Sequence, residues 1–397
     1  MRRFVVIANG ISPPGTMGGN SKIILEMLRH RSDDLECLVV TPKVETFSEN
    51  GIYSEGNLRI VGIPEFGKSE RTHYWGTCRH LYNHVKRVFC ENGVGPDDVV
   101  YCVSDFGVDV VPAYRLCREL GFKWVPSFFL FVPFIFENLK NRYGFPALKY
   151  LVYYFYQKHI LSMIEKRGHG VVITNDVDKN RFSTRLQEHA LAIYGGVNVE
   201  QIPATRGDAH YDAVFCSRLH PQKGISGLLD IWARVVAERP SALLAIIGNG
   251  EPQYESHLRE KAHTLGIDGN VEWLGYINNE AKYAIYGKSR LLVHSTVYDN
   301  NGMVAAEALC TGLPVIMYDL PALRNVYKEG CVKIPCFDQA AYAKTILRLL
   351  GDEKELKRVK PSESDVAALR RNWNWSTRAD LFYSFLKTSS ASNSMSC

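Results

Sequence analysis

The sequence predicts an α/β protein with two domains, each built around an open parallel sheet. Three observations favour this class. Short apolar strands alternate with helical segments, an order typical of parallel sheets. The alternation begins at residues 4–8 and starts again at Tyr211, after a polar stretch at residues 201–210 with the composition of a linker. The length of 397 residues also favours two domains over one.

The composition is that of an ordinary globular chain, with 46% hydrophobic and 22% charged residues. The net charge of +5 is compatible with an anionic substrate, and no basic cluster with interleaved aromatics indicates nucleic-acid binding. The ten Cys residues lie scattered without C-x-x-C pairs, which indicates reduced thiols. Since the amino terminus lacks the features of a signal peptide, we expect a cytoplasmic protein, soluble or peripherally bound to a membrane.

The first half begins with a strand, a loop, a helix and a strand at residues 4–8, 9–20, 21–30 and 37–41. The loop is rich in Gly and Pro but does not match G-x-G-x-x-G, so a dehydrogenase interpretation loses its main support. Further strands are predicted at residues 58–61, 99–103, 123–126 and 170–175, and helices at residues 74–90 and 111–120.

A segment at residues 128–164 combines many aromatic residues with interspersed Lys and Arg. This composition suits a surface that binds an acceptor or a lipid interface. A buried helix with a lid in the first domain is the other interpretation, and the sequence leaves both open.

The second half predicts strands that each end in a Gly or a polar turn. The strands lie at residues 213–216, 243–247, 271–277, 291–293 and 314–317, and the helices at residues 225–238, 303–309, 346–350 and 373–386. Open α/β sheets bind ligands beyond the carboxyl ends of their strands, where those ends meet at one edge. We therefore expect the binding site at the turns that follow these strands.

One of these turns, at residues 298–302, joins a strand to a helix and carries most of the functional information. A helix start offers unpaired backbone N–H groups and a positive dipole end, which suits a phosphate. Gly302, Met303 and Val304 would supply these N–H groups. Asp299 lies on the turn and Glu307 lies eight residues later in the helix, so the two acids can bracket one ligand.

This stretch resembles the signature of family 4 retaining glycosyltransferases, in which an acidic residue, seven others and a Glu precede A-x-x-x-G-x-P-V. Asp299 stands where that family more often has Glu. The resemblance implies the GT-B fold, with two Rossmann-like domains that face each other across a cleft. It assigns residues 1–200 to an acceptor-binding domain, 211–372 to a nucleotide-sugar-binding domain, 373–388 to a helix that crosses back to the first domain, and 389–397 to a disordered tail.

The resemblance also implies roles for individual residues. Glu307 would bind the ribose hydroxyls and Asp299 would face hydroxyls of the donor sugar. Arg218 and Lys223 stand in a loop that resembles G-R-L-x-x-x-K-G, with Ser217 in place of the first Gly. Their charges would stabilise the leaving diphosphate. With Asp299 and Glu307 they form the predicted catalytic set, and the predicted donor-binding residues are Gly18, Gly19, Gly248, Tyr276, Ile277, Asn301, Gly302, Met303, Val304 and Glu307.

The first half departs from the family near the acceptor. Many relatives have a His after the strand at residues 123–126, where this chain has Phe129, Leu130 and Phe131. A group that normally approaches the donor sugar is therefore missing from the expected position, and the sequence does not predict how the acceptor is bound.

The implied reaction transfers a sugar to a hydroxyl of a glycan, glycolipid or glycoprotein, with GDP-mannose favoured as donor over UDP-glucose. We expect no metal or other cofactor, because Arg218, Lys223 and the helix start would neutralise the diphosphate. His80 and His84 have metal-ligand spacing, but no third ligand accompanies them, which favours an exposed helix face. A nucleotide-sugar epimerase and a catalytically silent nucleotide-sugar-binding protein remain alternatives. A peripheral membrane contact and a homodimer also stay open.

Overall fold

The structure, a computed structural model, describes residues 1–14, 17–65, 74–132 and 147–391. The chain divides into two compact units. The first is made of the described residues up to Gly195 together with the last helix from Trp375, and the second runs from Gly196 to Asn374. Each unit contains one parallel sheet with helices between its strands, so the predicted α/β class with two Rossmann-like domains is confirmed.

The first unit contains a seven-stranded sheet in the order β3-β2-β1-β4-β5-β6-β7. All of its pairings are parallel. The strands are β1 Arg3–Ile7, β2 Glu36–Thr41, β3 Leu58–Gly62, β4 Val99–Cys102, β5 Lys123–Phe128, β6 Val171–Ile173 and β7 Ala190–Ala192. Its helices are α1 Gly19–Arg29, α2 Val44–Ser48, α3 Tyr74–Glu91, α4 Gly107–Leu120, α5 Ala147–Arg167 and α6 Thr184–Gln187.

The last helix of the chain, Trp375–Ala391, packs in the first unit. The ring of Phe382 stands edge-on to Phe4 of β1 at 5.7 Å, and Tyr383 Oη donates to the Met27 carbonyl at 2.8 Å. The disordered tail predicted from residue 389 is wrong at its start, because the helix continues to Ala391 and Ser389 is buried. Residues 392–397 of that prediction lie outside the described residues.

The second unit contains a six-stranded parallel sheet in the order β10-β9-β8-β11-β12-β13. The strands are β8 Tyr211–Cys216, β9 Leu244–Ile247, β10 Val271–Gly275, β11 Ser289–His294, β12 Val315–Tyr318 and β13 Cys331–Ile334. The helices are α7 Ile225–Glu238, α8 Pro252–Thr264, α9 Asn279–Gly287, α10 Met303–Cys310, α11 Pro321–Arg324, α12 Gln339–Gly351, α13 Glu353–Val359 and α14 Glu363–Trp373; the helix Trp375–Ala391 is α15. Strand order reverses between β8 and β11, the place where such sheets bind ligands.

The stretch at residues 201–210, expected to be a linker, is part of the second unit. Arg206 donates from its guanidinium to the Gly312 carbonyl at 2.7 Å and also to the Ser289 carbonyl. Burial lowers the pKa of Arg206, and these carbonyl partners compensate for the lost water. Arg206 therefore ties this stretch to the second unit, and the division of the chain falls earlier, at Gly195.

The aromatic and basic segment of the first unit is described in part, since residues 133–146 lie outside the described ranges. Helix α5 buries Ile160 and Ile164 against the core. On another side of the same helix, Val152 and Phe155 are 67% and 63% exposed. The segment thus has both a core face and an exposed apolar end. Among the helices in the described ranges, none is long and apolar enough to cross a membrane.

Candidate functional site

The loops after β8 and β11 meet at the switch point of the second sheet through an ion pair. Lys223 Nζ donates to Asp299 Oδ2 at 2.7 Å, and the side chains are 21% and 14% exposed. Burial raises the pKa of Asp299, but the charge of Lys223 and the neighbouring donors outweigh it, so this pKa lies well below its ordinary value. Asp299 is therefore an ionised acceptor at neutral pH.

Asp299 also organises the turn that precedes helix α10. Its Oδ1 accepts from the backbone N–H groups of Asn301 at 3.1 Å and Gly302 at 3.2 Å. The expected phosphate donor Gly302 is thus already hydrogen-bonded by the turn. Met303 and Val304 occupy the first helical positions, where N–H groups have no partner within the helix.

The side chain of Tyr327 holds this turn in place. Tyr327 Oη donates to the carbonyls of Asn301 at 2.8 Å and Gly302 at 3.0 Å. Gly302 adopts φ 59°, and a Cβ there would lie 3.1 Å from Leu323 Cδ1, so the position favours glycine. Asn301 Oδ1 is buried and has no hydrogen-bond partner among the described residues. This oxygen is an acceptor that a ligand hydroxyl or amine can satisfy.

His294, the last residue of β11, is a member of this cluster that the sequence analysis missed. Its Nε2 lies 3.8 Å from Asp299 Oδ2 and 3.3 Å from Thr296 Oγ1. Burial lowers the pKa of His294 to about 4, so the ring is neutral at neutral pH. The feature of the sequence that could have indicated His294 is its position at the carboxyl end of a central strand.

The second predicted acid, Glu307, forms a separate buried ion pair. Lys282 Nζ of helix α9 donates to Glu307 Oε2 at 2.7 Å, and the side chains are 10% and 4% exposed. Burial is the largest single effect and lowers the pKa of Lys282, but the charge of Glu307, its hydrogen bond and the neighbouring groups together raise it more, so the net shift is upward. Each predicted acid therefore has its own lysine, and Lys282 is a second residue that the sequence analysis missed.

The remaining predicted residues of the second unit lie at neighbouring strand ends. Arg218 is exposed in the loop after β8. Tyr276, after β10, is 76% exposed, and Ile277 is half-buried. Gly248 was expected to allow close approach of a ligand, but a Cβ there would lie 1.9 Å from the Ser217 carbonyl oxygen. Close packing of two turns of the protein therefore requires this glycine.

Two predicted donor-binding residues, Gly18 and Gly19, belong to the first unit. The Gly18 N–H donates to Ser12 Oγ at 2.9 Å, and Gly19 begins helix α1. The ring centres of His80 and His84 lie 4.3 Å apart. In the part of the chain that the structure describes, no group of three or more His, Cys, Asp or Glu is arranged to hold a metal ion.

The fold places the chain among α/β proteins with two Rossmann-like domains, whose ligands bind at the carboxyl ends of the strands. Residues 202–364 match the family model of glycosyl transferases group 1, and this part of the chain is a domain of that family. The match covers most of the second unit, including Arg218, Lys223, Asp299 and Glu307, and it confirms the resemblance to glycosyltransferases.

Curated relatives support the same assignment. The chain is 28% identical over 234 residues to a phosphatidyl-myo-inositol mannosyltransferase of Mycobacterium leprae, which covers 57% of this chain and 60% of that protein. It is 26% identical to a D-inositol 3-phosphate glycosyltransferase of Corynebacterium efficiens, over 51% of this chain and 50% of that protein. The match to the Mycobacterium leprae relative thus spans less than two thirds of that protein's length.

Solved structures extend the likeness in fold to almost the whole chain. A sucrose-phosphate synthase from Thermosynechococcus elongatus matches with a TM-score of 0.75 and 15% identity, over 99% of this chain and 100% of the other. Anabaena HepE in complex with UDP and glucose matches with a TM-score of 0.71 and 14% identity, over 98% of this chain and 100% of the other. The protein therefore has the GT-B fold.

Proposed function

We propose that the protein is a retaining glycosyltransferase that moves a sugar from a nucleotide-diphosphate donor to an acceptor hydroxyl. The observation that carries the proposal is the Lys223–Asp299 pair at the start of helix α10, in a group 1 domain. A cation, an ionised carboxylate and a helix start at one strand end offer partners for both a diphosphate and a sugar.

In the proposed reaction, the bond between the anomeric carbon and the leaving phosphate breaks as the acceptor oxygen bonds to the same face of the sugar. The departing phosphate gains negative charge, which Arg218 and Lys223 would stabilise. An ammonium group has three donors, so Lys223 can bind phosphate while it keeps its bond to Asp299. The proton of the acceptor hydroxyl passes to the phosphate oxygen, so no protein base is required.

Asp299 would bind hydroxyls of the donor sugar. Its lowered pKa keeps it ionised at neutral pH, so it acts as an acceptor of hydrogen bonds and not as an acid. Glu307 would bind the ribose hydroxyls in the same way, with Lys282 balancing its charge. We expect no metal ion, since the cations and the helix start of this chain can neutralise the diphosphate.

For the donor we favour GDP-mannose, followed by UDP-glucose. The mannosyltransferase name of the Mycobacterium leprae relative supports a mannosyl donor, although the match covers only part of each protein. The acceptor is proposed to be a hydroxyl of a glycan, glycolipid or glycoprotein. The donor is identified first, and the acceptor is then tested by sugar transfer from that donor.

The test is calorimetric titration of the protein with a panel of nucleotide-sugars, with and without a divalent metal. Saturable binding of one donor, unchanged by metal, followed by sugar transfer to an acceptor, is the expected result. Isomerised sugar without an acceptor would instead identify an epimerase. Binding with neither transfer nor donor hydrolysis would identify a silent binding protein. If a folded protein binds no donor, the proposal is wrong.

A further inference from the structure

The Lys282–Glu307 pair is the most deeply buried of the lysine–carboxylate ion pairs described for the second unit. Lys282 extends from helix α9, and its ammonium group also lies 5.1 Å from the centre of the Tyr283 ring. Glu307 extends from helix α10, about one turn beyond the amides at the helix start. Helix α9, which follows β10, and helix α10, which follows β11, are thus joined by an ion pair.

Stability alone gives little reason for such a pair. Removing two ions from water costs several kcal/mol each, and apolar residues of similar volume often replace a buried pair without loss of stability. Removing only one partner, in contrast, leaves an uncompensated buried charge. A carboxylate that must stay charged while buried therefore needs a fixed cation beside it.

Among the described interactions, Lys282 is the cation paired with Glu307. The other titratable groups described around the two residues include Cys216, Tyr276, Tyr283, Tyr286 and Cys310. Thiols and phenols are uncharged at neutral pH unless a cation activates them, and burial raises the pKa of both Tyr283 and Tyr286. Loss of Lys282 would remove this cation from beside the buried Glu307 carboxylate, which favours uptake of a proton.

We propose that Lys282 is a positioning residue for donor binding, because its ammonium group fixes the charge and the direction of the carboxylate that binds the ribose hydroxyls. The inference rests on the proposed function, in which Glu307 contacts the ribose. A carboxylate has about four acceptor directions, so the bond from Lys282 to Oε2 leaves capacity for a hydroxyl. A protonated carboxyl would accept the ribose hydroxyls more weakly.

The experiment compares ribose with deoxyribose in the wild type and in Lys282→Met. GDP and UDP are titrated beside their 2′-deoxy counterparts, and the ratio of the two affinities is measured from pH 6 to 9. A ribonucleotide and its 2′-deoxy counterpart have the same base and the same diphosphate. Protonation of these groups therefore changes both affinities equally and cancels in the ratio. The wild type should prefer the ribonucleotide by about tenfold or more at every pH, as expected for a hydrogen bond to a charged acceptor.

Lys282→Met should lose this preference at pH 7 and regain it toward pH 9, where a buried carboxyl without a cation ionises. Lys282→Arg should keep the preference, since it keeps the charge. Lys261→Met removes a matched lysine from a surface pair with Asp230, also at 2.7 Å, and should leave the ratio unchanged. If Lys282→Met does not fold, Lys282→Gln retains a donor without charge and is expected to behave in the same way.

The outcomes separate this inference from the proposed function. A folded Lys282→Met with the wild-type ratio at every pH overturns the role of Lys282 and leaves the proposed function intact. If the wild type binds GDP or UDP without any preference over the 2′-deoxy counterpart, Glu307 does not bind the ribose hydroxyls, and the inference is wrong. A wild type that binds neither GDP nor UDP overturns both.

Discussion

The Nε2 atom of His294 lies 3.8 Å from Oδ2 of Asp299, and the same oxygen accepts a hydrogen bond from Lys223. The imidazole thus lies close to a carboxylate that already forms an ion pair with Lys223. Burial disfavours a second positive charge there, and the ring is neutral in the folded protein. Protonation of His294 would therefore work against folding.

This arrangement predicts how stability depends on pH. The pKa of His294 is about 4 in the folded protein and 6.5 when exposed, so the unfolded chain binds its proton first as pH falls. The contribution of His294 to stability should decrease from pH 6.5 toward pH 4, by up to about 3 kcal/mol. His294→Leu should flatten the dependence in this window, measured by urea unfolding at a series of pH values.

Two comparisons check that assignment. Asp299 has a lowered pKa, so its contribution is lost only below about pH 4, outside the window. His263→Leu changes an exposed residue that is paired with Asp268, and should keep the wild-type slope. An unchanged slope in His294→Leu would show that this ring does not control acid sensitivity.

Arg218→Ala should reduce turnover by about 100-fold or more, as expected when a charge that stabilises the leaving group is removed. Because Arg218 is exposed, thermal unfolding should match the wild type. Lys261→Ala serves as the control for loss of one positive charge elsewhere on the domain. Wild-type turnover in a folded Arg218→Ala protein would remove this residue from the mechanism.

Lys223→Ala is expected to have two effects. It removes the cation proposed to face the diphosphate, so turnover should fall by orders of magnitude. It also leaves Asp299 buried without its partner, which should reduce the free energy of unfolding. Lys223→Arg, measured by the same assays, should restore stability more fully than turnover, because an Arg places its charge differently.

Glu307→Gln should mainly weaken donor binding, by about tenfold, while turnover at saturation changes little. The same change leaves Lys282 buried beside a neutral amide, so stability should fall. Replacing both residues, in Lys282→Met with Glu307→Leu, should recover stability but not donor affinity. Recovered affinity in the double variant would contradict the role of this pair in binding.

Gly248→Ala should be strongly destabilising, by more than about 3 kcal/mol, since both the backbone conformation and the space forbid a Cβ. Gly248 has φ 130°, and the added atom would lie 1.9 Å from a carbonyl oxygen. Gly351→Ala meets nothing within 4 Å and should change stability little. Urea unfolding of the two variants tests this contrast. Equal stabilities would mean that the turn can rearrange.

The sequence predicted the two parallel sheets and the turn around Asp299 because local patterns specify them. Apolar runs of strand length and a Gly at a helix start are visible within a few residues. Lys282 was not predicted, since a lysine in a short helix normally points to water, and its partner lies 25 residues away. The packing constraint on Gly248 was not predicted for the same reason, because it comes from Ser217 on another strand end.

The place of the last helix has a consequence for synthesis on the ribosome. Phe4 and Met27 precede the second unit in the chain, but their partners Phe382 and Tyr383 follow it and are made only after the whole second unit. Domains generally fold as units during synthesis. The group 1 domain can therefore complete its packing first, whereas the sheet of the first unit stays partly uncovered until the last helix has been made. During that interval, Phe4 of β1 lacks the aromatic partner that covers it in the folded protein.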